Sequence, residues 1–155
     1  MVRTVTPAAR SGVCPPVLRQ DYLARQLAAL FAALRRATER VDEDDAAGAM
    51  DEVNRGYTLL PGVDRSLLAY LSAEALHRAL EDEPRVRALA RLRATEALAL
   101  TKLDRDTPPE SILRIAHQAL MLYHHVGLGE DATDAATMQR LLACIDHLEA
   151  TVESR

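Results

Sequence analysis

Apolar residues recur at helical spacing from about residue 20 onward, and the pattern predicts a first helix over about 21–41. Steps of four and three residues place one apolar stripe on this helix: Leu23, Leu27, Leu30, Leu34, Ala37 and Val41. A second apolar face follows the acidic stretch 42–45 and predicts another helix over about 43–58. Pro61-Gly62 then forces a turn.

The next stretch, about 64–81, carries a break in its apolar spacing. Asp64 is positioned to cap its start, but Leu71 is followed by Leu76, a step of five residues that is out of phase for one stripe. Ser72 is a candidate cap for a separate short helix. The pattern therefore predicts either one helix or two in this stretch.

Three further helices complete the prediction. They cover about 84–103, 107–126 and 135–152. The first of them is apolar over most of its circumference, which is typical of a central helix. The second has Pro108-Pro109 in its opening turn, and the last is capped by Thr133 or Asp134. Because the loops are short, neighbouring helices run antiparallel. The predicted fold is all-α, with six or seven antiparallel helices.

Residues 1–17 show no periodic apolar pattern and contain several prolines, so they predict a flexible N-terminal tail before a single helical domain over 18–155. No apolar run approaches the roughly 18–20 residues that span a bilayer, and the tail lacks the apolar core of a secretory signal. Cys14 and Cys144 lie at opposite ends of the chain, without metal-knuckle or disulfide spacing. These features predict a cytoplasmic protein with two free thiols and no membrane partner.

Composition and charge narrow the class of protein further. Aromatic residues make up 3% of the chain and there is no tryptophan, which favours helices over a β-sandwich or barrel. The formal net charge is −4 at pH 7, so no bulk basic field attracts nucleic acid. Nucleic acid is therefore not an expected partner.

Small residues recur at a fixed spacing in two of the predicted helices. The pattern 0, +4, +7 is formed by two sets: Ala49, Val53 and Gly56, then Ile112, Ala116 and Ala119. The spacing is similar to that of tetratricopeptide repeats, where a small residue lets two helices approach closely. The tryptophan and Leu-Gly pair of the first repeat helix are missing. The resemblance implies degenerate tetratricopeptide-like hairpins, and the alternative is a generic antiparallel bundle.

A second resemblance covers about residues 20–150. Four short segments follow one another along the chain: Asp21-Tyr22-Leu23, the acidic stretch 42–45, the turn at 61–64 and Leu71-Ser72-Ala73-Glu74. These segments and their order resemble those of an uncharacterised bacterial family, a domain of unknown function. The resemblance implies an all-helical, tetratricopeptide-like fold and supplies no activity, substrate or catalytic residue.

Soft metal ligands cluster near the end of the chain. His117 and Met121 are i, i+4 on one predicted helix, and Cys144 and His147 are i, i+3 on the next. If these helices pack antiparallel, the four side chains are candidates for a soft-metal or haem-type site. The alternative is that all four are ordinary exposed or half-buried helical residues.

Arginines gather around the predicted fourth helix, where Arg87 and Arg91 share one face at i, i+4. Such pairs suit a phosphate or an acidic peptide, and the alternative is that they are solvated or paired with nearby acids. Tyr57, Tyr70 and Tyr123 are among the few large side chains and are candidates to line a groove. These five residues form the predicted partner-binding set.

The sequence contains no motif for catalysis or for a cofactor. It has neither a glycine-rich phosphate loop nor a G-x-S-x-G elbow, and its Glu74 to His77 unit lacks the second copy that a di-iron bundle needs. We therefore expect a non-catalytic, cofactor-free interaction or scaffold module that binds a protein or peptide and is able to form a homodimer. The alternative is a helical metal or small-ligand sensor that uses the late His/Met/Cys group.

Overall fold

The computed structural model describes residues 16–103, 106–128 and 132–155. Within these ranges it contains six α-helices, one 3₁₀ helix and no strand, which confirms the predicted all-α class. The helices are α1 Pro16–Asp42, α2 Ala46–Leu59, the 3₁₀ helix Arg65–Tyr70, α3 Ala73–Leu80, α4 Glu83–Leu103, α5 Pro109–Val126 and α6 Ala132–Glu153. Most of the predicted tail, including Cys14, lies outside the described residues.

The first helix begins earlier than the apolar pattern predicted. α1 starts at Pro16, where proline is favoured because the first helical turn does not use its missing N–H. The side chains of Leu18 and Tyr22 are 60% and 61% exposed. Since this end of α1 buries little apolar surface, no stripe marked it in the sequence.

Of the two alternatives that the apolar spacing left open for this stretch, the structure shows the break at Ser72. The Ser72 hydroxyl accepts a hydrogen bond of 3.1 Å from the backbone N–H of Ala75, and its own backbone is extended. Asp64 caps the preceding 3₁₀ helix in the same way, through the N–H of Ser66 at 3.0 Å. Each side chain satisfies an N–H that has no partner within its helix. The stretch therefore forms two short helices, and the described chain has seven.

Helix α4 lies at the centre of the packing, as its apolar circumference predicted. It contacts α1, α2, α3, α5 and α6. The approach of α2 to α4 depends on Gly56: a Cβ there would lie 2.5 Å from Cδ2 of Leu92 and 3.4 Å from Cδ1 of Leu30. The predicted role of Gly56 in close packing is confirmed.

Contacts along their length show that α1 and α4 run parallel. Near one end, the guanidinium of Arg91 lies over the ring of Phe31, 5.3 Å from its centre. Further along both helices, Nζ of Lys102 donates to the backbone oxygen of Val41 at 3.3 Å. Residue numbers therefore increase in the same direction on both helices.

Helix α6 is aligned with α4 in the same sense. Arg87 on α4 contacts Asp134 near the start of α6, and Thr101 near the end of α4 contacts Cys144, with Oγ1 and Sγ 3.3 Å apart. The helices α1, α4 and α6 are therefore three parallel helices with α4 in the middle. α2 packs between α1 and α4, and α5 packs between α4 and α6.

Candidate functional site

A cleft of about 810 Å³ follows the three parallel helices. α4 forms its floor, and α1 and α6 form its two walls. Phe31 and Leu34 supply apolar surface, and most of the remaining lining is polar. The main polar side chains are Arg35, Arg87, Arg91, Thr95, Thr133 and Thr137. This volume is within the range of pockets that enclose organic ligands.

The floor of the cleft is organised around Asp134, whose side chain is fully buried. Its Oδ2 accepts a hydrogen bond of 3.1 Å from Nη1 of Arg87, and its Oδ1 accepts from Nε of Arg91 at 2.5 Å. The hydroxyl of Tyr123 donates to the same Oδ1 at 3.2 Å. A buried carboxylate is stable only with such partners, so Asp134 fixes both arginines.

Tyr123 belongs to this cluster as a hydrogen-bond donor. Burial, followed by the negative charge of Asp134, raises the pKa of the Tyr123 phenol. The hydroxyl therefore keeps its proton at neutral pH and donates it to the carboxylate. Because Tyr123 is on α5, the cluster joins α4, α5 and α6 below the cleft.

Arg87 is also fixed from its other side. Its Nη2 donates to Oε1 of Glu83 at 2.6 Å and to the backbone oxygen of Val126 at 3.5 Å. Burial lowers the pKa of Arg87, but the hydrogen bonds to Glu83 and Asp134 outweigh burial and raise it. Arg87 is thus a permanently charged structural group. The sequence left open that this arginine is paired with nearby acids, and in the structure it is.

The next helical turn brings three further polar side chains to one level. Phe31, Arg91 and Asp134 form one layer of contacts across parallel helices. On each helix, the residue one turn further along lines the cleft. On α1 this is Arg35, four residues after Phe31, and on α4 it is Thr95, four residues after Arg91. On α6 it is Thr137, three residues after Asp134. One turn is about 5.4 Å, so these three side chains surround the middle of the cleft.

The threonines at this level are largely buried residues whose hydroxyl oxygens are not fully buried. Thr95 is 3% exposed and Thr137 is 6% exposed, and neither hydroxyl has a hydrogen-bond partner among the described residues. Thr38 differs, because its hydroxyl donates to the backbone oxygen of Leu34 at 3.0 Å, the usual bond of a helical threonine. The hydroxyls of Thr95 and Thr137 are therefore available to a molecule in the cleft.

Beyond the lining of the cleft, an ion pair joins α1 to α6. Arg140 on α6 pairs with Asp42 at the end of α1, and both side chains are 46% exposed. The pair joins the two walls directly. Because exposed ion pairs contribute little free energy, this contact can open at small cost.

The predicted partner-binding residues do not form one surface. Arg87, Arg91 and Tyr123 come together around Asp134. Tyr57 is 7% exposed, and Tyr70, on the 3₁₀ helix, is 85% exposed. The structure thus places two of the five in the cleft lining.

Tyr57 belongs to a separate buried network. Its hydroxyl donates to Glu96, which also pairs with Arg93 at 3.0 Å and with Arg65 at 2.8 Å. Burial, followed by the charge of Glu96, raises the pKa of Tyr57. Since these residues come from α2, the 3₁₀ helix and α4, the network fixes their relative positions and has a structural role.

The candidate metal ligands are spread over different surroundings. His117 is exposed, with Nε2 3.4 Å from Oε1 of Glu149, and Met121 is 47% exposed. Cys144 is buried with its Sγ against Thr101 on α4, whereas His147 is exposed. In the described part of the chain, no three His, Cys, Asp or Glu side chains converge as metal ligands would.

The sequence did not reveal four residues of this cleft: Arg35, Thr95, Asp134 and Thr137. Asp134 was predicted as one of two candidate helix caps, but α6 begins at Ala132. Asp134 therefore lies in the first turn with its side chain buried. The spacing of Arg87, Arg91 and Thr95 at i, i+4, i+8 was the available signal, because it marks one continuous line along α4.

Fold and cleft together define an all-helical protein with a cleft of mixed apolar and charged lining between three parallel helices. No family model, curated protein or solved structure matches the chain. No described helix combines the length and apolar character that crossing a membrane requires.

Proposed function

We propose that this protein is a non-catalytic interaction module, and that the cleft between α1, α4 and α6 binds a segment of a partner protein. The cleft itself carries the proposal: its floor and walls come from three parallel helices, and its volume of about 810 Å³ accommodates several side chains of a bound segment. Peptide-binding grooves between helices are a common recognition mode.

The order of packing supports this interpretation. Stacked helical hairpins place the first helix of each hairpin on one side, where these helices line a continuous concave surface. Here α1 and α4 are the first helices of two hairpins, α6 continues the series, and the three are parallel. We therefore also propose that the helices form degenerate tetratricopeptide-like hairpins, and that the chain is related to the uncharacterised bacterial family that it resembles.

The lining also suits a protein ligand. Phe31 offers an aromatic face, and Arg91 is held against it by the contact with Asp134. Aromatic and arginine side chains contribute disproportionately to binding energy in protein interfaces. Because Arg91 is fixed before binding, binding costs less side-chain entropy than it would if this arginine were mobile.

Selection from a random 12-residue peptide display library tests the proposal. Thr133 lies at the exposed edge of the cleft, so Thr133→Trp fills the cleft without entering the core. We expect recovered peptides to bind the wild-type protein and to lose most binding to Thr133→Trp and to Phe31→Ala. Tyr70→Ala is the matched control, because Tyr70 is 85% exposed and is not part of the lining.

Two results would contradict the proposal. Peptides that bind Thr133→Trp as tightly as wild type would place the interaction elsewhere on the surface. A concentration-dependent dimer that Thr133→Trp dissociates, measured by sedimentation, would make a second copy of this chain the occupant.

A further inference from the structure

We propose that the middle of the cleft is a carboxylate-binding pocket in which Arg35, Thr95 and Thr137 bind an acidic side chain of the partner segment. The inference rests on the proposed function and adds the chemistry that the cleft recognises. Its basis is the convergence of one cation and two unpaired hydroxyl groups from three different helices at the same level.

Arg35 supplies the charge. Its side chain is exposed and lines the cleft, and it has no ionic or hydrogen-bond partner among the residues that the structure describes. A guanidinium offers five N–H donors in a planar fork, which fits a carboxylate through two parallel hydrogen bonds. On the same helix, Arg36 is already paired, with Nε 3.2 Å from Oε1 of Glu52.

Thr95 and Thr137 supply two neutral donors opposite Arg35. Both residues line the cleft, and their hydroxyls have no hydrogen-bond partner within the described chain and are not fully buried atoms. A carboxylate between them would accept from both. Because the protein itself does not occupy these hydroxyls, an acceptor can bond both without breaking a hydrogen bond inside the fold.

Arg35 differs from the other two arginines of the lining in its surroundings. Arg87 pairs with Glu83 and Asp134, and Arg91 pairs with Asp134, whereas Arg35 has no partner in the described chain. Together with Glu39, which also lines the cleft, these carboxylates balance the three guanidinium groups, so the unpaired state of Arg35, and not a net positive charge, favours an anion here. The cleft of about 810 Å³ is much larger than one carboxylate group, so it has room for the larger molecule that carries it.

The experiment uses the 12-residue peptides recovered by display. Each is synthesised with a C-terminal amide, so that no terminal carboxylate contributes, and in a second form with each Asp or Glu changed to Asn or Gln. Dissociation constants are measured by fluorescence polarisation for wild type, Arg35→Gln, Thr95→Val and Arg25→Gln. Arg25 is an exposed arginine on α1 outside the cleft lining, so Arg25→Gln matches the change in net charge.

We expect one acidic position in each cleft-binding peptide whose replacement weakens binding about tenfold or more. Arg35→Gln and Thr95→Val should weaken the acidic form and leave the amide form unchanged, while Arg25→Gln changes neither. If acidic and amide forms bind equally and Arg35→Gln behaves like Arg25→Gln, the carboxylate pocket is wrong and the peptide-binding cleft stands. If no peptide depends on the cleft, both proposals fall.

Discussion

The guanidinium of Arg91 lies 5.3 Å from the centre of the Phe31 ring, while its Nε donates to Asp134. One side chain on the floor of the cleft therefore touches both walls, because Phe31 is on α1 and Asp134 is on α6. A cation over an aromatic ring and a buried ion pair together hold Arg91 in one orientation. Arg91 therefore links α1 to α6 through α4.

Removing the carboxylate of Asp134 should destabilise the fold strongly. Asp134→Ala leaves Arg87 and Arg91 without their shared buried partner, and breaking a buried ion pair in this way costs about 3–5 kcal/mol. Urea unfolding monitored by circular dichroism measures the change. Asp146→Ala on the exposed face of the same helix should change the free energy of unfolding by less than about 0.5 kcal/mol. Equal effects of the two variants would show that the cluster is not needed for stability.

Gly56→Ala tests the close approach of α2 and α4. Alanine gains about 1 kcal/mol of helix propensity, but its Cβ would lie 2.5 Å from Cδ2 of Leu92, and overpacking a core typically costs about 1–3 kcal/mol. We expect a net loss of stability in chemical denaturation.

The matched test of that contact is a double-mutant cycle with Leu92→Ala, which removes the atom that the new Cβ would meet. Gly56→Ala should cost less in the Leu92→Ala background than in wild type. Additive effects would contradict a direct contact between the two sites.

Ser72→Ala should weaken the short helix α3. Loss of the cap at the N–H of Ala75 costs about 1 kcal/mol. Because α3 has eight residues, it has few other interactions that compensate for this loss. Hydrogen exchange should become faster in 73–80 while the rate in α5 is unchanged. Ser154→Ala at the exposed C-terminus is the control. Equal exchange in wild type and Ser72→Ala would show that the cap is dispensable.

Stability should fall at high pH because of two buried tyrosines. The pKa values of Tyr57 and Tyr123 are raised above their ordinary value of 10.0, so their protonated forms are favoured in the folded state. Their contribution is therefore complete below pH 10 and is lost as the pH rises above it, because the unfolded chain ionises first. Each tyrosine contributes a slope of about 1.4 kcal/mol per pH unit above that value.

Denaturation at pH 9, 10 and 11 measures this slope. The double variant Tyr57→Phe/Tyr123→Phe should show a smaller loss of stability between pH 10 and 11 than the wild type. Tyr22→Phe is the control, since Tyr22 is 61% exposed. A slope that the double variant leaves unchanged would show that other groups are responsible.

The helices were predictable because each depends on local spacing. The central position of α4 followed from its apolar circumference. The phase change between Leu71 and Leu76 marked Ser72 as a candidate cap but did not decide between one helix and two. The early start of α1 at Pro16 was not predictable from apolar periodicity, because the first turns of this helix bury little surface.

The cleft was less predictable, because its contacts join residues distant in sequence. Arg91 and Asp134 are 43 positions apart, and no local pattern indicates which of many acids will meet a given arginine. That Thr95 and Thr137 line one cleft is visible only once the helices are packed. The sequence therefore predicted the arginine pair but not its buried partner or the neighbouring hydroxyls.

Threonine methyl resonances provide the most direct test of peptide binding in the cleft. A protein with ¹³C-labelled threonine methyl groups is titrated with a peptide recovered by display and followed by NMR. We expect saturable shifts at Thr95 and Thr137, which line the cleft, and none at Thr58 and Thr151, which lie outside it. Shifts at Thr58 or Thr151 with none at Thr95 and Thr137 would contradict binding between α1, α4 and α6.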